Sequence, residues 1–234
     1  MLRTLRRLTQ AGFMLACLVM VASCEDSAPK LAASPHTVNG TGVYILLDVS
    51  GSMADQVRNA SGAQEAKLAV AKRAGISVCQ QIAKYAQESP ARNIKLAVAS
   101  FSDDCRTVVP LGTPNATAAQ QAINSLYTQG GTAIGNSVAQ AQKELDRTGL
   151  RRQHILIITD GENTVGPKPD KVAAEISALP EDLRPNVYIV AFDVSASVFD
   201  AVKKQGWQVF SAANGKELEQ RLDQVVGGHI LIEQ

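Results

Sequence analysis

The run Val43-Tyr44-Ile45-Leu46-Leu47, which stops at Asp48-Val49-Ser50-Gly51-Ser52, constrains this chain more than any other stretch. Five apolar residues without polar alternation predict a strand buried on both faces. The strand ends in a tight turn that carries one carboxylate and two hydroxyls. Hard oxygen donors converging in a glycine-containing loop suit Mg²⁺ or Mn²⁺. Two later segments have the composition to complete the same site. One is Gly130-Gly131-Thr132, and the other is Ile155-Leu156-Ile157-Ile158-Thr159-Asp160-Gly161.

The rest of the chain alternates apolar runs with helical patterns, which predicts an α/β fold with a mostly parallel sheet. Strands are expected at 43–48, 94–101, 154–159, 186–192 and 208–211, and an antiparallel edge strand at 105–109. Helices are expected at 63–87, 116–127, 133–146, 171–178, 198–204 and 216–226. The tail 228–234 contains His229-Ile230-Leu231-Ile232, which reads as an extra strand or a partly ordered end.

Taken singly, each residue of the three segments has an ordinary explanation. Asp48 suits an Asx turn, Ser50 and Ser52 suit helix capping, Thr132 suits a helix N-cap, and Asp160-Gly161 is a common turn pair. Together and in this order they resemble the metal-ion-dependent adhesion site of the von Willebrand factor A family, Asp-x-Ser-x-Ser followed by a distant Thr and a distant Asp. The resemblance runs from about Thr41 to about Val226, and it implies a domain over 41–227. It implies a doubly wound, mostly parallel central sheet with helices on both faces. It also implies that Ser50, Ser52 and Thr132 ligate Mg²⁺ or Mn²⁺ through hydroxyls. Asp48 and Asp160 would supply charge, often through water. A Glu or Asp from a partner protein would then fill the open coordination position. Glu162 reads as solvated, Asp103 and Asp104 as a plain turn, and no ligand role falls to Asp193.

Residues 1–23 read as a targeting segment, with Arg3, Arg6 and Arg7 ahead of an apolar stretch too short for a secure membrane span. It ends in Val21-Ala22-Ser23-Cys24, which resembles a bacterial lipobox. The resemblance implies cleavage before Cys24 and acylation of that cysteine, hence a lipid-anchored protein of the bacterial cell envelope. Multiple acyl chains would hold it stably to a membrane. Residues 24–40 lack apolar periodicity and read as a flexible tether.

Apolar residues make up 45% of the chain, enough for one substantial core. Removing Arg3, Arg6 and Arg7 from the 23 basic side chains leaves 20 against 22 acidic ones. That balance gives no electrostatic reason to expect nucleic-acid binding. Two cysteines remain after the signal and the lipidation site, Cys79 and Cys105. They could form a disulfide in an oxidising envelope compartment. The alternative makes Cys79 a small core residue beside Leu68, Gly75 and Ile82.

Three functions compete. The first is a metal-dependent protein-binding module, and the second is a structural or assembly subunit of an envelope complex. The third is a Mg²⁺-dependent phosphatase with a strand-end aspartate nucleophile. That last chemistry wants Asp-x-Asp, whereas Ser50 stands at the third position. No acid/base carboxylate, Gly-x-Ser-x-Gly elbow or phosphate-binding Gly-Lys loop accompanies it, so no residue is assigned a catalytic role.

Overall fold

The computed structural model describes residues 35–59 and 61–232. The segment read as a signal, Cys24 and the first part of the tether lie outside them. The chain forms β1 (Val38–Asp48), a hairpin of β2 (Gln56–Arg58) and β3 (Gln64–Ala66), then α1 (Lys67–Glu88). β4 (Ile94–Phe101), β5 (Cys105–Gly112), α2 (Ala116–Asn124) and α3 (Ile134–Asp146) follow. The second half holds β6 (Leu150–Thr159), α4 (Pro169–Ser177), β7 (Asn186–Phe192), α5 (Asp200–Lys203), β8 (Gln208–Ala212) and α6 (Gly215–Val225).

Six strands make one sheet in the order β5-β4-β1-β6-β7-β8, parallel except for β5 against β4. Strand parity explains the unbroken apolar run. Val43, Ile45 and Leu47 point into a core closed by α1, α2 and α6, through residues such as Val78, Ile123 and Leu222. Tyr44 and Leu46 point into the opposite core, closed by α3, α4 and α5 through Val138, Val172 and Val202. Helices on both faces leave Val43–Leu47 no solvated side, so both parities of this run are apolar until the strand ends at Asp48.

The same parity separates the two cysteines. Cys79 lies on α1 in the first core with Leu68 and Ile82, and Cys105 packs against the second core beside Phe101. Both thiols are free. A bridge would have to cross the sheet, which the short reach of a disulfide forbids. Burial pushes the Cys79 thiol up to about 12, the behaviour of an inert core residue.

Several boundaries differ from the sequence reading. β1 begins at Val38, so Val38–Gly40 belong to the sheet rather than to a tether. Ahead of it, His36 Nε2 lies 3.0 Å from Asp146 Oδ1 and 2.9 Å from Gln153 Nε2, which pins the entering chain to the end of α3. The long helix starts at Lys67 rather than at residue 63, because the preceding residues pair as β2 and β3. Asn59 builds that hairpin turn by accepting the amides of Ser61 and Ala63 on Oδ1, each at 3.0 Å. The tail supplies no strand: Val226–Ile230 continues α6 as a π-helical turn, with Ile230 buried in the first core.

Candidate metal centre

β1 and β6 are adjacent, and the chain winds outward from them in opposite directions, β4 and β5 on one side and β7 and β8 on the other. Such a reversal opens a crevice beyond the carboxyl ends of the two strands. The structure brings all five residues singled out in the sequence to this crevice.

Asp48 is fully buried. Its Oδ1 accepts the Ser50 amide at 2.7 Å, and its Oδ2 accepts the Thr159 hydroxyl at 2.5 Å. The Ser50 and Ser52 hydroxyl oxygens are 3.1 Å apart, and Ser52 Oγ donates to Asp160 Oδ1 at 2.7 Å. Thr132 completes the group: a methyl placed on Gly161 would lie 3.8 Å from both Ser52 Oγ and Thr132 Oγ1. Among the described residues no three His, Cys, Asp or Glu side chains are grouped to hold a metal.

Neighbouring loops hold these side chains in place. The Gly51 amide donates to Gly130 O at 3.0 Å and the Gln129 amide to Val49 O at 2.7 Å, so the second loop is hydrogen-bonded to the first. Gly130 adopts a left-handed φ of 62°, and a Cβ there would run into the Asp103 carboxylate. Only glycine meets both demands without strain. Asp103 Oδ1 accepts the Gly131 amide at 2.7 Å. Thr164 clasps Thr132 from both sides: its Oγ1 accepts the Thr132 amide at 2.8 Å, and its amide donates to Thr132 O at 2.9 Å.

The residue least expected here is Lys67. Its side chain is 8% exposed, and its ammonium lies 3.0 Å from Asp160 Oδ2 and 3.0 Å from Asp193 Oδ2. Burial alone would lower its pKa, but the two carboxylates outweigh that and raise it. Lys67 is the first residue of α1, where the helix dipole opposes a positive charge. A cation at such a position signals a strong local anion, but only once the helix start is known. Asp193 follows β7 with a left-handed φ of 54° and donates its amide to Ala212 O at 2.7 Å. Sequence reasoning gave no role to Lys67, Asp103, Thr164 or Asp193. Glu162 is exposed, as expected.

The electrostatics are unbalanced at Asp48. Desolvation raises its carboxyl to about 6, against hydrogen bonds from Ser50 and Thr159 that lower it, and the neighbouring Asp160 charge adds to the rise. Asp160 has an ammonium on it, whereas Asp48 has only dipoles. A buried carboxylate lacking a countercharge favours a cation. Asp48, Asp160 and Asp193 against Lys67 leave a net charge that a divalent ion cancels. Hydroxyl donors with carboxylates behind them also match a hard ion that retains water. The residues present therefore fit Mg²⁺ or Mn²⁺.

An α/β sheet with a hydroxyl-rich crevice at its switch point defines a class of domains built around one strand-end site. The von Willebrand factor type A domain model matches residues 43–162, just over half of the chain. The chain belongs to that family. It is 27% identical over 225 residues to the uncharacterized protein YwmD of Bacillus subtilis (strain 168), covering 92% of this chain and 95% of that one. Its fold is similar to that of the conserved hypothetical protein BatB from Bacteroides thetaiotaomicron, with a TM-score of 0.61 at 20% identity. That match covers 81% of this chain and 98% of the other. It is also similar to the PilB minor pilin from Streptococcus sanguinis, with a TM-score of 0.65 at 14% identity. There it covers 85% of this chain and only 63% of the pilin.

Proposed function

We infer that the protein is a lipid-anchored, divalent-metal-dependent protein-binding module of the bacterial cell envelope. Asp48, Ser50, Ser52, Thr132 and Asp160 would hold Mg²⁺ or Mn²⁺, and a Glu or Asp of the partner would complete the coordination. One observation carries this reading. One loop with Ser50 and Ser52 and a second with Thr132 meet at the strand-end carboxylates of Asp48 and Asp160, of which Asp48 is buried without a countercharge. A bound ion would supply an electrophilic centre for the incoming carboxylate. The chain's own part is positioning. Asp160 accepts the Ser52 proton and so turns the oxygen lone pairs away from itself, and Thr164 fixes the backbone of Thr132.

An adhesion or assembly role agrees with the minor pilin among the related folds. The test is capture of an envelope partner in Mg²⁺, in EDTA, and with Thr132→Ala. The reading expects one species retained by the parent in Mg²⁺ and lost in both other conditions, while Thr132→Ala keeps its melting temperature within a few degrees. Equal retention in EDTA and in Mg²⁺ sinks the bridging mechanism.

The anchor is tested separately. No helix among the described residues is long and apolar enough to cross a membrane. Cys24→Ser is expected to move the protein from the membrane fraction to the soluble one. A variant that sediments with membranes as the parent does would argue against lipidation.

A further inference from the structure

We propose that Lys67 is a built-in cation of the centre that competes with the divalent ion for Asp160 and retreats onto Asp193 when the ion binds. The inference rests on the metal-binding reading above and specifies how that site is regulated. Its ground is geometric. The Lys67 ammonium is equidistant, at 3.0 Å, from Asp160 Oδ2 and Asp193 Oδ2. Both oxygens of Asp160 are already engaged, one by the Ser52 hydroxyl and one by Lys67. The Asp160 side chain is fully buried, while that of Asp193 is 41% exposed. One contact thus belongs to the centre and the other faces solvent.

The two contacts differ in what a divalent ion does to them. An ion beside Ser52 and Asp160 repels the ammonium at short range, inside protein where that repulsion is poorly screened. The ion also takes up part of the negative charge that held the ammonium on Asp160. Asp193 keeps its full charge, and its backbone is fixed by the amide bond to Ala212 O. An ammonium has three donors on a flexible stem and can shift toward one partner without leaving the other's reach. Lys67 therefore weakens metal binding in the resting protein and protects Asp160 from standing as a second uncompensated buried charge. It also leaves the loaded centre less negative, which favours an incoming carboxylate.

The experiment is calorimetric titration of Mn²⁺ into the metal-stripped protein, run on the parent, Lys67→Met, Asp193→Asn and Asp48→Ala, with melting curves in EDTA for each. Lys67→Met removes the competing charge and is expected to bind Mn²⁺ about tenfold more tightly or better, with a lower melting temperature in EDTA. Asp193→Asn removes the retreat and leaves Lys67 on Asp160, so binding is expected to weaken severalfold. Asparagine accepts the left-handed backbone at this position, so that variant keeps the test alive if Lys67→Met does not fold. Opposite shifts in the two variants support the proposal. Unchanged Mn²⁺ affinity in both overturns it while leaving the metal site standing. Absence of Mn²⁺ binding in every protein overturns the metal-binding reading and the competition with it.

Discussion

Replacing Asp48 by asparagine is expected to stabilise the metal-free protein at neutral pH and to abolish any stabilisation by Mg²⁺. The cause is the buried charge. The Asp48 carboxyl sits at about 6 in the folded protein against an ordinary 3.8. The folded state therefore holds this proton more tightly than the unfolded state does. Stability from this group is fully present below about pH 4, declines as pH rises, and is lost by about pH 6. At pH 7 the ionised, metal-free site carries a penalty of about 3 kcal/mol. Asparagine removes the charge, accepts the Ser50 amide on its oxygen and turns its amide toward the Thr159 hydroxyl. Melting curves in EDTA from pH 4 to pH 8 should show the variant's advantage appearing across that window, by several degrees at pH 7. Carboxylates remote from the crevice behave alike in both proteins and cancel in the difference. A variant less stable than the parent at every pH would make Asp48 a structural hub rather than a cation seat.

The second large effect is expected at Gly135, the second residue of α3. A Cβ there would fall on the carbonyl group of Pro167, which is backbone and has no rotamer to swing away. Gly135→Ala should push the loop after β6 off the start of α3 and break the Gly135 amide bond to Asn163 Oδ1. Overpacking of this kind costs about 3 kcal/mol, or roughly 10 °C in a domain of this size. The same loop carries Thr164 against Thr132, so metal binding should weaken with stability. Gly75→Ala is the matched control. In the middle of α1, its nearest neighbour to a new methyl is Ile123 Cδ1 at 3.9 Å, an ordinary contact. Removing a mid-helix glycine should be neutral or stabilise by up to about 1 kcal/mol. Equal losses from both substitutions would refute the steric argument at Gly135.

What could be read from the sequence was what local pattern encodes. The run Val43–Leu47 had to be a central strand because both of its faces are apolar, and both faces meet helices. Asp48, Ser50, Ser52, Thr132 and Asp160 stood out as a set through their resemblance to the von Willebrand factor A motif, and the sheet order brings the strand and loop ends that carry them to one crevice. Lys67 escaped because its role depends on contacts 93 residues away in the chain, to Asp160, and on a helix start displaced by the β2–β3 hairpin. The hairpin itself has strands of three residues, too short for alternation to register. Asp103 read as a turn residue, and its role in holding Gly131 depends on a loop 28 residues away. The disulfide candidate failed for the same reason. Pairing of Cys79 with Cys105 depends on which face of the sheet each thiol occupies, and nothing in the spacing decides that.

On the proposed reading, the crevice beyond β1 and β6 binds a divalent ion. Calorimetric titration of Mg²⁺ and Mn²⁺ into the metal-stripped protein, beside Asp48→Ala, tests it most directly. Saturable one-to-one binding by the parent, lost in a folded Asp48→Ala, is expected. Binding that survives intact in Asp48→Ala, or none in the parent, would contradict it.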